Sequence, residues 1–308
     1  MHLMIPHASA LGEACTHTLG DLALPALAEL LGLLKAAGPA LGSDEYSLDT
    51  PFELALAQLR GARPGPVPLA GWLAAAQGLD SSAAWALLTP IHLSAGSDAV
   101  TALAPETLNL DAAESRAFFD SLAELWPAAE GWQAHWLRPT QWLLAHESFK
   151  DLATASLDRV VQRNVDSWKP EARRLRTLQN ELQMLLHRHP LNEAREAHGA
   201  LALNSVWISG CGLVSGGTLP AGLQIDERLR EPLLAGDWAG WAEAWAALDA
   251  GPIAALLSRA KAGEPVQLTL SGERWAQTYA MPARSGLQRL WQGLVTPRAN
   301  AAKLLGAL

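Results

Sequence analysis

The chain has 308 residues, 49% hydrophobic and 18% charged, a balance that excludes a disordered polymer and provides for one large or two modest domains with a sizeable core. Its 23 basic and 31 acidic residues give a net charge of −8, with no basic stripe to follow a nucleic-acid backbone, so nucleic acid is not an expected partner. Two cysteines, Cys15 and Cys211, form neither a disulfide framework nor a metal-binding spacing, and a reducing cytoplasm is the expected location.

The N-terminal MHLMIPHASALGEACTHTLG lacks a basic segment ahead of an apolar core, and the apolar stretch 22–34 is broken by Glu29 and closed by Lys35. Neither a secretory signal nor a membrane span is expected. Asp21 to Ala37 carries a helical apolar pattern with Pro25 in its first turns. Pro51 to Leu59 is a second predicted helix, with Thr50 as N-cap and Pro51 at N1. GARPGPVP at 61–68 reads as a loop. It marks the expected boundary between a helical N-terminal part, 1–65, and an α/β main domain, 66–308, unless the two are continuous.

Residues 83–104 alternate short apolar runs with Pro, Gly and Ser, as two strands around a turn would. Asn109 to Trp126 follows as a helix, and 131–145, interrupted by Pro139, reads as two strands or one strand with a bend. Arginines concentrate at 173–176 and around Arg159 and Arg163, a pattern read as a solvated helix face. Glu171 to Leu186 is the clearest helix, with Leu175, Leu178, Leu182, Leu185 and Leu186 on one face. Further helices are expected at 237–249, 252–262 and from Gly286, and strands at 266–270 and 274–280. Interleaved helices and strands predict an α/β protein with a mixed sheet flanked by helices, and helix-rich N- and C-terminal parts.

Tryptophan is abundant, 13 against 4 Phe and 2 Tyr. Trp238, Trp241 and Trp245 fall on one helix face, either as core or as an exposed surface for a protein partner.

The densest polar stretch is HRHPLNEAREAHGALALNSVWISGCG, 187–212. Pro190 ends the preceding helix. Asn192 then reads as the N-cap of a short helix, Glu193 to His198, closed by Gly199. NSVWISGCG reads as a strand finishing in Gly210 and Gly212, whose bare backbone N–H groups suit ligand binding at a sheet edge. Asn192, Arg195 and Asn204 are the ligand-binding candidates there, Arg195 as a bidentate donor to phosphate or carboxylate. The opposing reading makes the asparagines caps and Arg195 a surface charge. His187 and His189, two residues apart, point about 200° from one another on a helix. They and His198 are metal-ligand candidates only if the helix unwinds there.

The segment 177–212, together with LTPIHLSAGSDAVTALAPETLNLDAAES at 88–115 and RVVQRNVDSWKPE at 159–171, resembles a proteobacterial family of regulatory proteins. The family is of the "regulation of pathogenicity factors E" type and is often labelled cofactor-independent phosphoglycerate mutase. His189, Pro190, Asn192, Arg195, Gly199, Asn204, Gly210 and Gly212 also resemble a segment of the archaeal-type mutases of the alkaline phosphatase superfamily. That resemblance implies a largely parallel central sheet and a ligand-proximal motif. Active members of that superfamily hold two divalent metals with Asp and His ligands and attack with Ser or Thr. This chain has no Asp before Asp21, no Asp-Gly and no Asp-His pair, so the carboxylates that stabilise a phosphoryl transition state are not recognisable.

Three functions follow as expectations. The first is a catalytically degraded phosphoglycerate mutase relative that binds a small anionic or phosphorylated ligand or regulates, without a confident cofactor. The second is an active phosphotransferase or phosphohydrolase using Mn, Mg or Zn. The third is a protein-interaction module with a Trp-rich surface.

Overall fold

The structure is a computed structural model that describes residues 1–282 and 298–308. Strand β1 (His2–Ile5) is followed by helices α1 (Glu13–Asp21) and α2 (Pro25–Leu33), short strands β2 (Lys35–Ala36) and β3 (Leu41–Gly42), and helices α3 (Pro51–Arg60) and α4 (Leu69–Ala76). The middle of the chain holds strand β4 (Ala84–Ile91), the hairpin of β5 (Leu93–Ala95) and β6 (Val100–Ala102), and helix α5 (Ala112–Ser121). Strands β7 (Gln133–Arg138) and β8 (Gln141–Ala145) then precede helices α6 (Leu157–Val160), α7 (Arg173–His187) and α8 (Pro190–Ala197), and strand β9 (Ser205–Leu213). Last come β10 (Leu223–Ile225), α9 (Arg230–Ala235), α10 (Trp238–Leu248), α11 (Ala254–Lys261), β11 (Gln267–Ser271), β12 (Trp275–Ala280) and α12 (Ala301–Leu305). The helical stretch expected from Gly286 begins outside the described residues.

These elements form two compact units, one of Met1–Glu45, Thr50–Arg60 and Thr218–Leu308, the other of Tyr46–Asp49 and Gly61–Gly217. This division differs from the expected 1–65 and 66–308. The physical reason is β1, which pairs in parallel with both β10 and β11 and so binds the N-terminus to the last third of the chain. The four residues of β1 are all buried, as a strand covered on both faces requires.

In the first unit the sheet order is β10-β1-β11-β12-β2, with β3 also pairing β12. The fold is α/β with a mixed sheet flanked by helices. Parallel pairing is confined to β10-β1-β11, because β11, β12, β2 and β3 join antiparallel; the largely parallel sheet implied by the resemblance is corrected to this extent.

Trp241 and Trp245 are fully buried in this unit's core, edge to face at 6.0 Å, and Trp238 packs against the same core. Of the two expected readings, core or exposed partner surface, Trp241 and Trp245 take the first, and Trp238 is partly buried beside them. The two helices expected at 237–249 and 252–262 are joined by a π-turn, Asp249–Ile253, that accommodates Pro252. That turn presents the Asp249 carboxylate to the start of α2, accepting from Leu27 N–H at 2.7 Å and Ala26 N–H at 3.1 Å. Asp249 therefore caps a helix whose own N-cap residue, Leu24, makes no side-chain cap.

The second unit holds the antiparallel sheet β7-β8-β4-β9. Every residue of β4 is buried. Its Trp85 and Leu87 join one apolar layer with Ala70 and Ala74 of α4, and its Ala84, Ala86 and Leu88 another with Leu175, Leu178, Leu182 and Leu186 of α7. The leucine spacing of α7 is thus one wall of the core.

Arg159, expected on a solvated face, is only 2% exposed. It donates to Ser47 Oγ at 2.7 Å and to the Asp49 carbonyl at 3.1 Å. Burial pushes the Asp49 carboxyl up to about 6, against the opposing effects of Val67 N–H and the Arg159 charge. Among the described residues no helix is long and apolar enough to cross a membrane.

Two outcomes are expected. Trp241→Ala should lower unfolding free energy in urea by about 3–5 kcal/mol, the usual cost of emptying an aromatic core site; a change under about 0.5 kcal/mol would be that of a surface residue. Because the folded carboxyl of Asp49 titrates above its unfolded value, its contribution is full below 3.8 and is lost as pH rises through about 6. Asp49→Asn should flatten stability against pH in that window, and an unchanged slope would assign it to another group.

Candidate functional site

The corner between α7 and α8 forms where proline allows a new helix to begin. Pro190 occupies N1 of α8, where its missing N–H is no loss. His189 is the N-cap, its Nδ1 accepting from Leu191 N–H at 3.2 Å. The expected N-cap at Asn192 is corrected accordingly, because the helix starts earlier; Gly199, at φ 72°, supplies the expected left-handed stop.

Asn192 lies in the first turn of α8 and is 5% exposed. Its Nδ2 donates to Leu186 O at 2.7 Å and Leu203 O at 2.9 Å, while its Oδ1 accepts from Leu203 N–H at 2.8 Å. The amide thus ties the end of α7 to the approach of β9. Arg195, one turn on and on the same face, is also buried. Its Nε donates to Leu201 O at 2.7 Å, Nη2 to Leu108 O and Nη1 to the Glu114 carboxylate. Asn204 pairs with Leu93 as a strand peptide would, its Oδ1 accepting from Leu93 N–H at 2.7 Å and its Nδ2 donating to Leu93 O at 2.9 Å.

The three expected ligand residues are therefore committed to main-chain groups and one carboxylate. Arg195, Glu114 and His198 line a groove of about 420 Å³, but the charge of Arg195 is already paired there. Glu114 escaped the sequence reading; its N–H goes to the Asp111 N-cap while its carboxylate reaches a residue far along the chain.

Gly210 and Gly212 adopt φ of 60° and 140°. A Cβ on Gly210 would lie 2.9 Å from Leu69 Cβ and 3.1 Å from Ala70 N, and one on Gly212 would lie 3.5 Å from Pro68 Cβ. The room that a ligand was expected to use beside Gly210 is taken by the first turn of α4. Gly210 thus allows a helix to approach a strand closely, whereas Gly212 is required by its positive φ and not by space.

His187 is exposed at the end of α7. His189 packs at a tilt against Phe118, ring centroids 4.7 Å apart, and its burial lowers its pKa. The Nδ1 of His198 lies 2.7 Å from Ala194 O. Among the described residues no group of three His, Cys, Asp or Glu could hold a metal ion, so the residues present do not fit the two-metal centre of an active mutase.

Among solved structures the chain is similar to PH0037 protein from Pyrococcus horikoshii, with TM-score 0.50 and 11% identity over 98% of this chain and 92% of that one. It is also matched to the cofactor-independent phosphoglycerate mutase from Thermoplasma acidophilum DSM 1728, with TM-score 0.35 and 11% identity over 98% and 94% of the two chains. The first likeness is one of fold. No protein-family model matches the chain, and no curated protein sequence does.

If Asn192 is architectural, Asn192→Ala should lower unfolding free energy by about 3 kcal/mol or more, since it leaves buried groups of Leu186 and Leu203 unpaired at roughly 1–3 kcal/mol each. His187→Ala at the exposed helix end should stay within about 0.5 kcal/mol of the parent. Equal stability of both variants in a denaturant titration would mean that Asn192 is spare for a ligand.

Proposed function

We propose that this chain is a phosphoglycerate mutase-like protein of the proteobacterial regulatory type that acts by binding a small anionic ligand, its effect passing to a protein partner, and not by phosphoryl transfer. The observation that carries this reading is the state of Arg195. All three guanidinium nitrogens are engaged by Leu201, Glu114 and Leu108, so the charged member of the motif shared with the mutases is an internal clamp. Breaking such a buried pair is costly, which opposes its release to a substrate phosphate. Both cysteines are buried and free, in keeping with a cytoplasmic protein. Catalysis would need Mn, Mg or Zn; binding needs no cofactor.

The experiment is an assay of the purified full chain with Mn²⁺ or Mg²⁺ for interconversion of phosphoglycerates. Turnover should not rise above the uncatalysed background. A kcat of about 1–10³ s⁻¹, the ordinary range for enzymes, would overturn the reading.

A further inference from the structure

Away from the motif, a cavity of about 220 Å³ lies between α7 and β9. Arg176, Gln179, Asn180 and Gln183 line it from α7, at i, i+3, i+4 and i+7, so one face of the helix supplies them all. This polar stripe runs beside the leucine stripe that builds the core. Ser205 and Trp207 of β9 and Lys169 complete the polar and aromatic lining, and no carboxylate lines the cavity.

The side chain of Gln179 is the telling one. The residue is only 8% exposed, yet its carboxamide has no hydrogen-bond partner among the described residues. Its amide atoms are not sealed from the cavity that the residue lines, and a polar group so placed is ordinarily satisfied by water or a ligand. Arg176 is held by Nη1, which donates to the carbonyls of Pro170 at 3.1 Å and Glu171 at 2.5 Å. Its Nε and Nη2 make no hydrogen bond to the described residues, and in this exposed side chain they form an edge able to receive two oxygens of one carboxylate. Gln183 donates to Ser205 Oγ at 3.1 Å, retaining its carbonyl as an acceptor, and Lys169 pairs at 2.7 Å with exposed Asp166.

We propose that this cavity is a binding site for a small hydroxy- or amido-carboxylate, its carboxylate taken by Arg176 and its hydroxyl or amide groups by Gln179 and Asn180. Amide side chains both donate and accept, so they match hydroxyl or amide groups better than a second bare anion. The volume is below the roughly 300–1,000 Å³ of sites for drug-sized ligands, which favours a compact metabolite. The inference rests on the binding reading above only in taking ligand capture as the protein's work. The two fail separately: mutase turnover would overturn that reading while Arg176-dependent carboxylate binding stood.

Calorimetric titration of the full chain with L-lactate, succinamate and inorganic phosphate as probes tests the site, alongside Arg176→Met and Gln179→Leu. Expected is saturable binding of L-lactate or succinamate, weakened about tenfold or more by Arg176→Met, the size of one lost charge-assisted contact, and about threefold or more by Gln179→Leu, that of a neutral one. Should Arg176→Met loosen the chain, Gln179→Leu decides, since it removes an amide with no protein partner. Absence of saturable binding by both carboxylates at millimolar concentration, which is the result for a cavity that holds water only, would overturn the proposal. So would binding that Gln179→Leu retains in full, or preferential binding of phosphate.

Discussion

The guanidinium of Arg195 holds three stretches of the second unit to α8: the segment around Leu108, the start of α5 at Glu114, and the loop at Leu201 that leads to β9. Asn192 adds the end of α7 and Leu203 to the same clamp. A charge this deeply buried is tolerable only while every donor is satisfied. The geometry of the α7–α8 corner, and with it the placement of α7 along β9, follows from that requirement. One face of α7 then supplies core leucines and the adjacent one lines the cavity.

Local signals in the sequence were the reliable ones. The leucine period of α7 placed that helix to within two residues of Arg173–His187, and Thr50 does cap α3, its Oγ accepting from Glu53 N–H at 3.2 Å while the Glu53 carboxylate returns to Thr50 N–H at 2.7 Å. The interruption at Pro139 is legible for the same reason, and of the two readings of 131–145 the structure has the two strands, paired antiparallel. What sequence could not supply was partnership at a distance. Nothing near Arg195 points to Glu114, 81 residues away, and nothing in HLMI announces parallel pairing with residues beyond 220.

Two misreadings have a common physical cause. Asn192 was given a cap role because asparagine favours helix starts, but Pro190 begins the helix first and turns Asn192 inward. Bare backbone at Gly210 and Gly212 suits a ligand at a sheet edge, yet a close-packed helix needs the same absence of Cβ at Gly210, and a positive φ explains Gly212. The polar stripe Arg176, Gln179, Asn180 and Gln183 stands in the sequence at helical spacing, but so does any solvated helix face, which is how the arginines at 173–176 read.

Asn192, Arg195 and Asn204, which build the unit, are thus separate from the residues of α7 that line the cavity. Amide hydrogen exchange tests that separation most directly. Leu203 lies outside helix and strand, and its N–H is held by Asn192 Oδ1. It should exchange as slowly as the central amides of α7, opening only with the unit as a whole. Exchange of Leu203 at the rate of an exposed loop, while α7 stays protected, would contradict the claim that Asn192 is a structural clamp.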